Sequence, residues 1–152
     1  MLLDRIQSKE NLWRRRIIQQ QATSCVFCDA AVESTIHLFL HCPVSSKVWY
    51  EIMRWLGVNV IVPHNLVSAF ATMVSIGRGK RNTDCLALIW ISFMWLIWRF
   101  RNNVVFNNKV LIIEELVEHI KFQAWKWFVG RVAKSPCLLY EWQWSPSDCF
   151  SR

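Results

Sequence analysis

Four residues near the start of the chain have the types and the spacing of a metal site. Three cysteines and one histidine follow the pattern Cys25-x2-Cys28-x8-His37-x4-Cys42. A Cys-x2-Cys turn directs two sulphur atoms towards one point, and a His and a Cys five residues apart can complete a tetrahedron. Thiolate and imidazole ligands suit zinc, so the pattern predicts one Zn²⁺ bound by these four side chains. Because four protein ligands leave no open position, the predicted ion is structural.

His41 is an alternative fourth ligand because it adjoins Cys42. Side chains of consecutive residues diverge on a helix and on a strand, so one ion seldom takes both as ligands. His37 is better spaced and is the predicted ligand, and its replacement by His41 stays open at this point. A further alternative is that the cysteines are core thiols that bind no metal, beside a surface histidine.

The other cysteines, Cys85, Cys137 and Cys149, are separated along the chain and lie in Trp-rich segments. They are expected to be small core or surface thiols. The first six residues, Met-Leu-Leu-Asp-Arg-Ile, lack the charged and then apolar pattern of a signal peptide. We therefore expect an intracellular protein, nuclear or cytoplasmic, whose cysteines are reduced.

Helices are expected to position the cysteine loop. Hydrophobic residues make up 53% of the 152 residues, and the chain has only four Gly and four Pro, which favours helices around a large core. The predicted fold is mainly α, with a small zinc-stapled module followed by a Trp-rich helical bundle. Apolar spacing predicts helices within residues 3–17, from Pro43 to a stop at Gly57, and at residues 66–74, 83–101 and 113–127. Asn-rich turns are predicted at residues 102–103 and 107–108, short strands at 58–62 and 137–140, and an irregular tail after Pro136.

The loop at residues 77–81, Gly-Arg-Gly-Lys-Arg, marks the predicted boundary between two halves of the chain. Residues 1–76 form the basic lead-in and the zinc-binding module, and residues 77–152 form the Trp-rich helical region, packed on the first half. The loop itself is either a solvated basic loop or a contact to a phosphate backbone.

The most apolar stretch, residues 85–98, has fourteen residues without a charge. A helix of this length measures about 21 Å, which is short of a bilayer core of about 30 Å. Three Trp lie within the run, whereas membrane helices keep Trp near the interfaces. We therefore expect a buried core helix, with a membrane-associated segment as the alternative.

Basic residues give the chain a net charge of +7, which favours an anionic partner. They are concentrated before the cysteine loop and around the core helix. Interleaved Trp and Phe side chains could stack on bases while the cations contact phosphates. We predict contacts to RNA or single-stranded DNA without strong sequence choice; the alternative is a cationic surface that only keeps a Trp-rich core soluble. The predicted nucleic-acid residues are Arg14, Arg15, Arg16, Arg99 and Arg101.

The run CVFCDAAVESTIHLFLHCPVSSKVW, residues 25–49, resembles a known family, the zinc-binding domain at the C-terminal end of plant non-LTR retrotransposon reverse transcriptases. Residues 9–17 (KENLWRRRI) and 98–106 (WRFRNNVVF) are similar to the segments that flank that domain. The resemblance implies a non-catalytic, nucleic-acid-associated module derived from a retrotransposon, with a reverse transcriptase polypeptide as a further partner. The matching residues are the ligands Cys25, Cys28, His37 and Cys42, the acidic Glu33, the HLF run at residues 37–39, and Trp49.

No catalytic set can be assembled from the sequence. A reverse transcriptase needs paired aspartates for two metal ions, and the four Asp residues of this chain are isolated. No nucleophile stands at a recognisable spacing from a base, and no Gly-rich phosphate motif is present. The protein is therefore not expected to be an enzyme. The competing hypotheses are a protein-interaction or structural remnant that does not bind nucleic acid, and a small membrane-associated protein built on residues 85–98.

Overall fold

Helices make up most of the chain that the computed structural model describes, residues 6–150. Within that range the structure has one isolated antiparallel bridge, between Ser24 and Val32, and no strand. This confirms the predicted mainly α fold, in which a Cys/His cluster near the N-terminus is followed by helices. The helices are α1 (Lys9–Arg14), α2 (Pro43–Trp55), α3 (Leu66–Ser75), α4 (Lys80–Asn107), α5 (Ile113–Arg131), α6 (Leu139–Trp144) and α7 (Pro146–Phe150), together with a 3₁₀ turn at Gln20–Ala22 and a π-helical turn at His37–His41.

α2 begins and ends where the sequence predicts. Pro43 occupies its first turn, where a missing amide hydrogen is tolerated and the fixed φ angle suits a helix. Gly57 adopts a φ angle of +73°, which lets the chain turn and brings the amide of Val58 to the Met53 carbonyl oxygen at 3.0 Å. Trp49, on the apolar face of this helix, is fully buried.

α4 is the longest helix in the described part of the chain. It has 28 residues and exceeds the predicted range, residues 83–101, at both ends. The predicted turn at residues 102–103 is wrong: Asn103 stays helical, and its side-chain oxygen accepts a hydrogen bond of 3.1 Å from Asn107 one turn later. The predicted turn at residues 107–108 is confirmed, because Asn108 has a φ angle of +49°, in the left-handed region that Asn tolerates.

One hydrophobic core contains buried residues from both sides of the predicted boundary loop. Trp49 of α2 packs edge-on against Trp90 and Phe93 of α4, with ring centroids 5.9 Å apart in both pairs. Trp142 of α6 stacks on Phe128 of α5 at 5.0 Å. Aromatic pairs of this kind contribute about 0.5–1.5 kcal/mol beyond the burial of their area. The division into residues 1–76 and 77–152 stays a prediction, and the core spans both parts.

α4 is long and apolar enough to cross a membrane by length and composition. The length argument made from residues 85–98 is therefore wrong, since a helix of 28 residues measures about 42 Å. However, 56% of its most apolar window is buried inside the fold, and Ile89, Phe93 and Ile97 are fully buried. The core helix of a folded domain passes the same length test, so this burial favours the interpretation as a core helix.

The C-terminal segment is helical where the sequence predicts a short strand and an irregular tail. Trp142 of α6 is fully buried, so this segment packs on the core. The Glu141 carboxylate accepts a hydrogen bond of 2.9 Å from the Leu138 amide and thereby caps α6. Cys137 and Cys149 form a disulfide, so the prediction that all cysteines are reduced is wrong for this pair. The fold places their Cα atoms 5.8 Å apart, within the usual range for a disulfide.

One further prediction needs correction. Residues 58–62 form no strand, and Val58, Val60 and Val62 pack partly buried against the core instead. The short helix predicted within residues 3–17 is present as α1, and the portion of that prediction on residues 3–5 lies outside the described residues. It begins at a Ser8 cap, whose side-chain oxygen accepts from the Asn11 amide at 3.4 Å.

Candidate metal centre

The first two predicted ligands lie in a tight hairpin. The Cys25 amide donates to the Ala31 carbonyl oxygen and the Glu33 amide to the Thr23 carbonyl oxygen, each at 2.8 Å. Between these bonds the chain reverses, and the Asp29 amide closes the turn by donating to the Cys25 carbonyl oxygen. Asp29 has a φ angle of +52°, a left-handed conformation that Asp adopts more readily than most residues. The hairpin brings both thiols of the Cys-x2-Cys turn within 4.8 Å of each other.

The other two ligands lie at either end of a π-helical turn that leads into α2. His37 begins this turn, and its amide donates to the Ser34 side-chain oxygen at 3.0 Å. Cys42 follows the turn as the N-cap of α2, and its amide donates to the His37 carbonyl oxygen at 2.7 Å. A hydrogen bond from residue i+5 to residue i defines a π-helical turn. The five-residue spacing in the sequence is therefore one such turn, which brings the imidazole and the thiol together.

Side-chain atoms of all four predicted ligands converge, with every ligand atom within 4.8 Å of the others. The sulphur atoms of Cys25 and Cys42 are 3.9 Å apart, and the Cys28 sulphur is 3.4 Å from Nε2 of His37. In a tetrahedral site with Zn–S bonds of about 2.3 Å and Zn–N bonds of about 2.1 Å, these edges measure about 3.8 and 3.6 Å. The four residues therefore fit one tetrahedral zinc ion as a Cys3His set.

His41 lies outside this cluster. Its side chain is exposed, and its Nε2 atom is 3.4 Å from the carbonyl oxygen of Pro63. The structure thus brings His37, and not His41, to the three thiols. His41 stays outside because consecutive residues such as His41 and Cys42 direct their side chains apart.

The surroundings of the Cys25 sulphur favour its thiolate form. The hydrogen bond that it shares with Cys42 lowers the pKa of Cys25 to about 5, against the opposing effect of burial. The backbone amides of Phe27 and Cys28, within the turn, lower this pKa further. Zinc binds the thiolate and not the thiol, so these amides favour the ligand form of Cys25.

The pKa of Cys42 shifts in the opposite direction to that of Cys25. The hydrogen bond shared with Cys25, and then burial, raise the pKa of Cys42 far above its ordinary value. The amides of Val44 and Ser45, in the first turn of α2, oppose this rise because they donate to the sulphur. A thiolate at Cys42 also lies at a helix N-terminus, where negative charge is stabilised. Binding of Zn²⁺ would therefore displace the proton that the two sulphurs share.

Arg101 lies beside this centre and not on the surface. Its guanidinium donates to Oε1 of Glu33 from Nη2 at 2.7 Å and from Nε at 3.1 Å, and the two side chains are 4% and 0% exposed. The prediction that Arg101 contacts nucleic acid is therefore corrected: a buried guanidinium paired with a carboxylate does not reach a phosphate. Sequence reasoning noted Glu33 only through the family resemblance and missed its partner. One signal in the sequence could have indicated this partner. Glu33 is an acidic residue between metal ligands, and a buried carboxylate needs a cation.

The other predicted nucleic-acid residues are exposed. Arg14 is the last residue of α1, and Arg15 and Arg16 follow it in the next turn. Arg14 forms an ion pair of 2.7 Å with Glu10, yet 60% of its side chain remains accessible. Arg99 is exposed on α4. These four cations remain candidates for contacts to phosphate.

A second group of possible ligands, Cys137, Glu141 and Cys149, lies in the C-terminal segment. Its two sulphur atoms are joined in the disulfide, and a disulfide sulphur is not a thiolate ligand. The carboxylate of Glu141 caps α6. With the disulfide formed, this group is a covalent cross-link and not a metal site.

Residues 1–49, about a third of the chain, match the model of a family described as zinc-binding in reverse transcriptase. This part of the chain is similar to the zinc-binding domain of reverse transcriptases. The match contains α1, the hairpin and the π-helical turn, and so includes all four ligands. It confirms the resemblance inferred from the ligand-bearing run.

The likeness of residues 98–106 to a segment that follows this domain lies beyond the match and stays a prediction. No curated protein and no solved structure matches the chain.

Proposed function

We propose that the chain is a non-catalytic zinc-binding module, derived from a retrotransposon reverse transcriptase, that associates with RNA or single-stranded DNA. The observation that carries the proposal is the convergence of three thiols and one imidazole within the segment that is similar to the reverse transcriptase zinc-binding domain. The proposed place of action is inside the cell, in the nucleus or the cytoplasm.

The zinc ion would join the hairpin to the start of α2. Cys25 and Cys28 belong to the hairpin, whereas Cys42 is the N-cap of α2, which carries the fully buried Trp49 into the core. Because all four coordination positions are taken by protein, the proposed ion holds the fold and does not activate water. The same ligand set supports a structural role over a hydrolytic one.

The end of α1, which precedes the first ligand in the sequence, carries exposed cationic and aromatic side chains. Arg15 and Arg16 are exposed, and most of the Arg14 side chain is accessible despite its ion pair. Trp13 on the same short helix is 39% exposed, so its ring is accessible to a base. Cations that contact phosphates together with rings that stack on bases are typical of sequence-tolerant binding to single strands.

A binding assay tests this proposal directly. Purified full-length chain is loaded with one equivalent of zinc and titrated into fluorescent single-stranded RNA and DNA of mixed sequence at about 20 mM salt, a concentration at which phosphate contacts are strong. The proposal predicts saturable binding that is similar for unrelated sequences. If zinc binds in one equivalent but neither nucleic acid does, the metal site stands and the nucleic-acid partner is wrong.

A protein-interaction role is the second candidate, and exposed apolar side chains on α4 favour it. Ile91 and Trp95 are 48% and 47% exposed on a helix whose other faces are buried in the core. Alanine at both positions should leave the zinc content unchanged, because neither residue belongs to the ligand cluster. Self-association that disappears in this double variant would support the second candidate instead.

A further inference from the structure

We infer that Glu33 and Arg101 are a positioning pair for the metal centre, through which the core helix α4 sets the geometry and affinity of the Cys-x2-Cys turn. The inference rests on the zinc site of the proposed function. Neither residue is a ligand: the carboxylate contacts the backbone of the turn that carries two ligands, and the guanidinium fixes that carboxylate.

Glu33 contacts the metal-binding turn through its second oxygen. Oε2 accepts a hydrogen bond of 3.4 Å from the amide of Val26, the residue between Cys25 and Phe27. The amides of Phe27 and Cys28 in the same turn donate to the Cys25 sulphur. A carboxylate that holds the Val26 amide therefore orients the peptide units that stabilise a metal-bound thiolate.

The other carboxylate oxygen of Glu33, Oε1, accepts hydrogen bonds from Arg101 and Lys9. Oε1 accepts from Nη2 and Nε of Arg101 at 2.7 and 3.1 Å, and from the amide of Lys9, the first residue of α1, at 3.1 Å. The carboxylate is 0% exposed, so its charge depends on these protein donors. Lys9 also donates through Nζ to the carbonyl oxygen of Ser24 at 2.8 Å, which ties α1 to the hairpin.

Arg101 is itself held in place by α4. Its guanidinium lies 5.1 Å from the centroid of the Trp98 ring one turn earlier, and Nη1 donates to the Asn102 side chain at 3.1 Å. A planar guanidinium with fixed neighbours loses little freedom when it pairs with a carboxylate. The Glu33 carboxylate is thus held in place by a residue of α4 that lies 68 positions away along the chain.

Outer-sphere partners of metal sites change affinity by about 10–100-fold when they are removed. Such a change requires that the pair favours the metal-bound turn over the metal-free turn. Coupling of this kind is reciprocal, so zinc should also strengthen the packing of the Arg101 region of α4. A pair with only a general structural role would change the melting temperature and leave the metal affinity of the folded chain unchanged.

The test uses the full chain, with zinc affinity measured by competition against a chelator and with Co²⁺ as a spectroscopic probe of tetrahedral geometry. Arg101→Met and Glu33→Gln should each weaken zinc binding by about 10–100-fold and change the Co²⁺ absorption bands. Arg101→Lys keeps the charge and should recover part of the affinity. The matched control is Arg54→Met, which removes a guanidinium from an exposed ion pair with Glu51 and should change neither readout.

The outcomes separate the two levels of inference. If the unaltered chain binds no zinc, the proposed metal site fails and the positioning pair fails with it. If the unaltered chain binds zinc and both variants match it within about twofold, the site stands and the pair is wrong. If Arg101→Met does not fold, Glu33→Gln decides in the same way, because Gln keeps the size of the side chain and one acceptor oxygen.

Discussion

The sulphur atoms of Cys25 and Cys42 lie 3.9 Å apart although 17 positions separate the two residues in the chain. One sulphur belongs to the hairpin and the other caps α2. Without a metal the contact is a single hydrogen bond that leaves one proton between two buried sulphurs. A zinc ion at this point would replace that weak contact by two coordination bonds, and its binding free energy would add to the stability of the local fold.

Loss of one ligand should therefore unfold the N-terminal module. Cys42→Ser should abolish stoichiometric zinc and lower the melting temperature sharply, because structural zinc contributes about 10–16 kcal/mol of apparent free energy in small zinc modules. Inductively coupled plasma analysis and a circular dichroism melt measure the two effects. The control is Cys85→Ala, a buried thiol outside the cluster, which should keep one zinc. Full zinc content in Cys42→Ser would contradict the assignment.

The convergence of the four side chains and the bounds of α2 could be predicted because their signals are local. Cys25 and Cys28 share one turn, His37 and Cys42 share another, and Pro43 marks the start of the helix. Arg101 could not be placed in the same way. Its sequence neighbourhood resembles that of an exposed Arg, and its partner lies 68 positions away, so only the tertiary packing of α4 shows that it is buried.

The helices of the C-terminal segment could not be predicted from the sequence either, because the contacts that decide them are long-range. Trp142 donates from Nε1 to the Lys121 carbonyl oxygen at 3.0 Å, and its own carbonyl oxygen accepts from the Trp55 ring nitrogen at 3.2 Å. These bonds to α5 and α2 select helices over the strand that the Cys-Leu-Leu-Tyr run favours locally. Tertiary packing of this kind overrides intrinsic preference in short segments.

Trp142 should be a main stabilising residue of the C-terminal segment. It is fully buried, and Trp142→Ala should lower the free energy of unfolding by about 3–5 kcal/mol because it leaves a cavity against Phe128 and removes the hydrogen bond from the ring nitrogen to the Lys121 carbonyl oxygen. Chemical denaturation of the zinc-loaded chain measures this loss. Trp144 is 90% exposed only two residues later, so Trp144→Ala is a matched control and should change stability by about 0.5 kcal/mol or less. Equal effects of the two variants would show that α6 does not pack as described.

The disulfide between Cys137 and Cys149 should stabilise the folded chain without affecting the metal. It closes a loop with a sequence separation of 12, and loops of about this size correspond to about 3 kcal/mol. A phosphine reductant should lower the melting temperature of the zinc-loaded protein and leave its zinc content unchanged. In a Cys137→Ala/Cys149→Ala double variant the reductant should have no effect on melting. Titration of six free thiols in the denatured, unreduced and metal-free protein would contradict the disulfide.

Cys85 should weaken the fold at alkaline pH. Burial raises the pKa of this thiol to about 11, with Arg81 opposing the rise and Asp84 adding to it. Because the unfolded chain releases this proton near pH 8.5 and the folded chain holds it, the stabilisation is complete below pH 8.5 and is lost as pH rises towards 11. The loss amounts to about 3 kcal/mol.

The measurement for Cys85 is a series of melts of the zinc-loaded chain between pH 7 and pH 11. Cys85→Ala carries a constant cost from the missing sulphur, but it should lack the part of the alkaline decline that this thiol contributes. The difference between the two proteins should therefore shrink as the pH rises. A difference that stays constant across the series would show that Cys85 does not titrate in a buried position.

The salt dependence of nucleic-acid binding gives the sharpest prediction for the basic surface. Each phosphate contact to a single strand releases condensed counterions and contributes about −0.7 to the slope of log affinity against log salt. With Arg14, Arg15, Arg16 and Arg99 as contacts, the slope should be about −3. Arg14→Ala/Arg15→Ala/Arg16→Ala should reduce it to about −0.7, because one contact remains.

The control for this experiment must remove the same charge from another surface. Lys126, Arg131 and Lys134 are exposed at the end of α5 and beyond it, so their triple alanine variant lowers the net charge equally. Its slope should stay near that of the unaltered chain if binding is centred on the α1 arginines, and zinc content should be unchanged in both variants because neither set supplies a ligand. Equal flattening of the slope by both triple variants would show that the cations act only through net charge, and the α1 surface would not be the binding site.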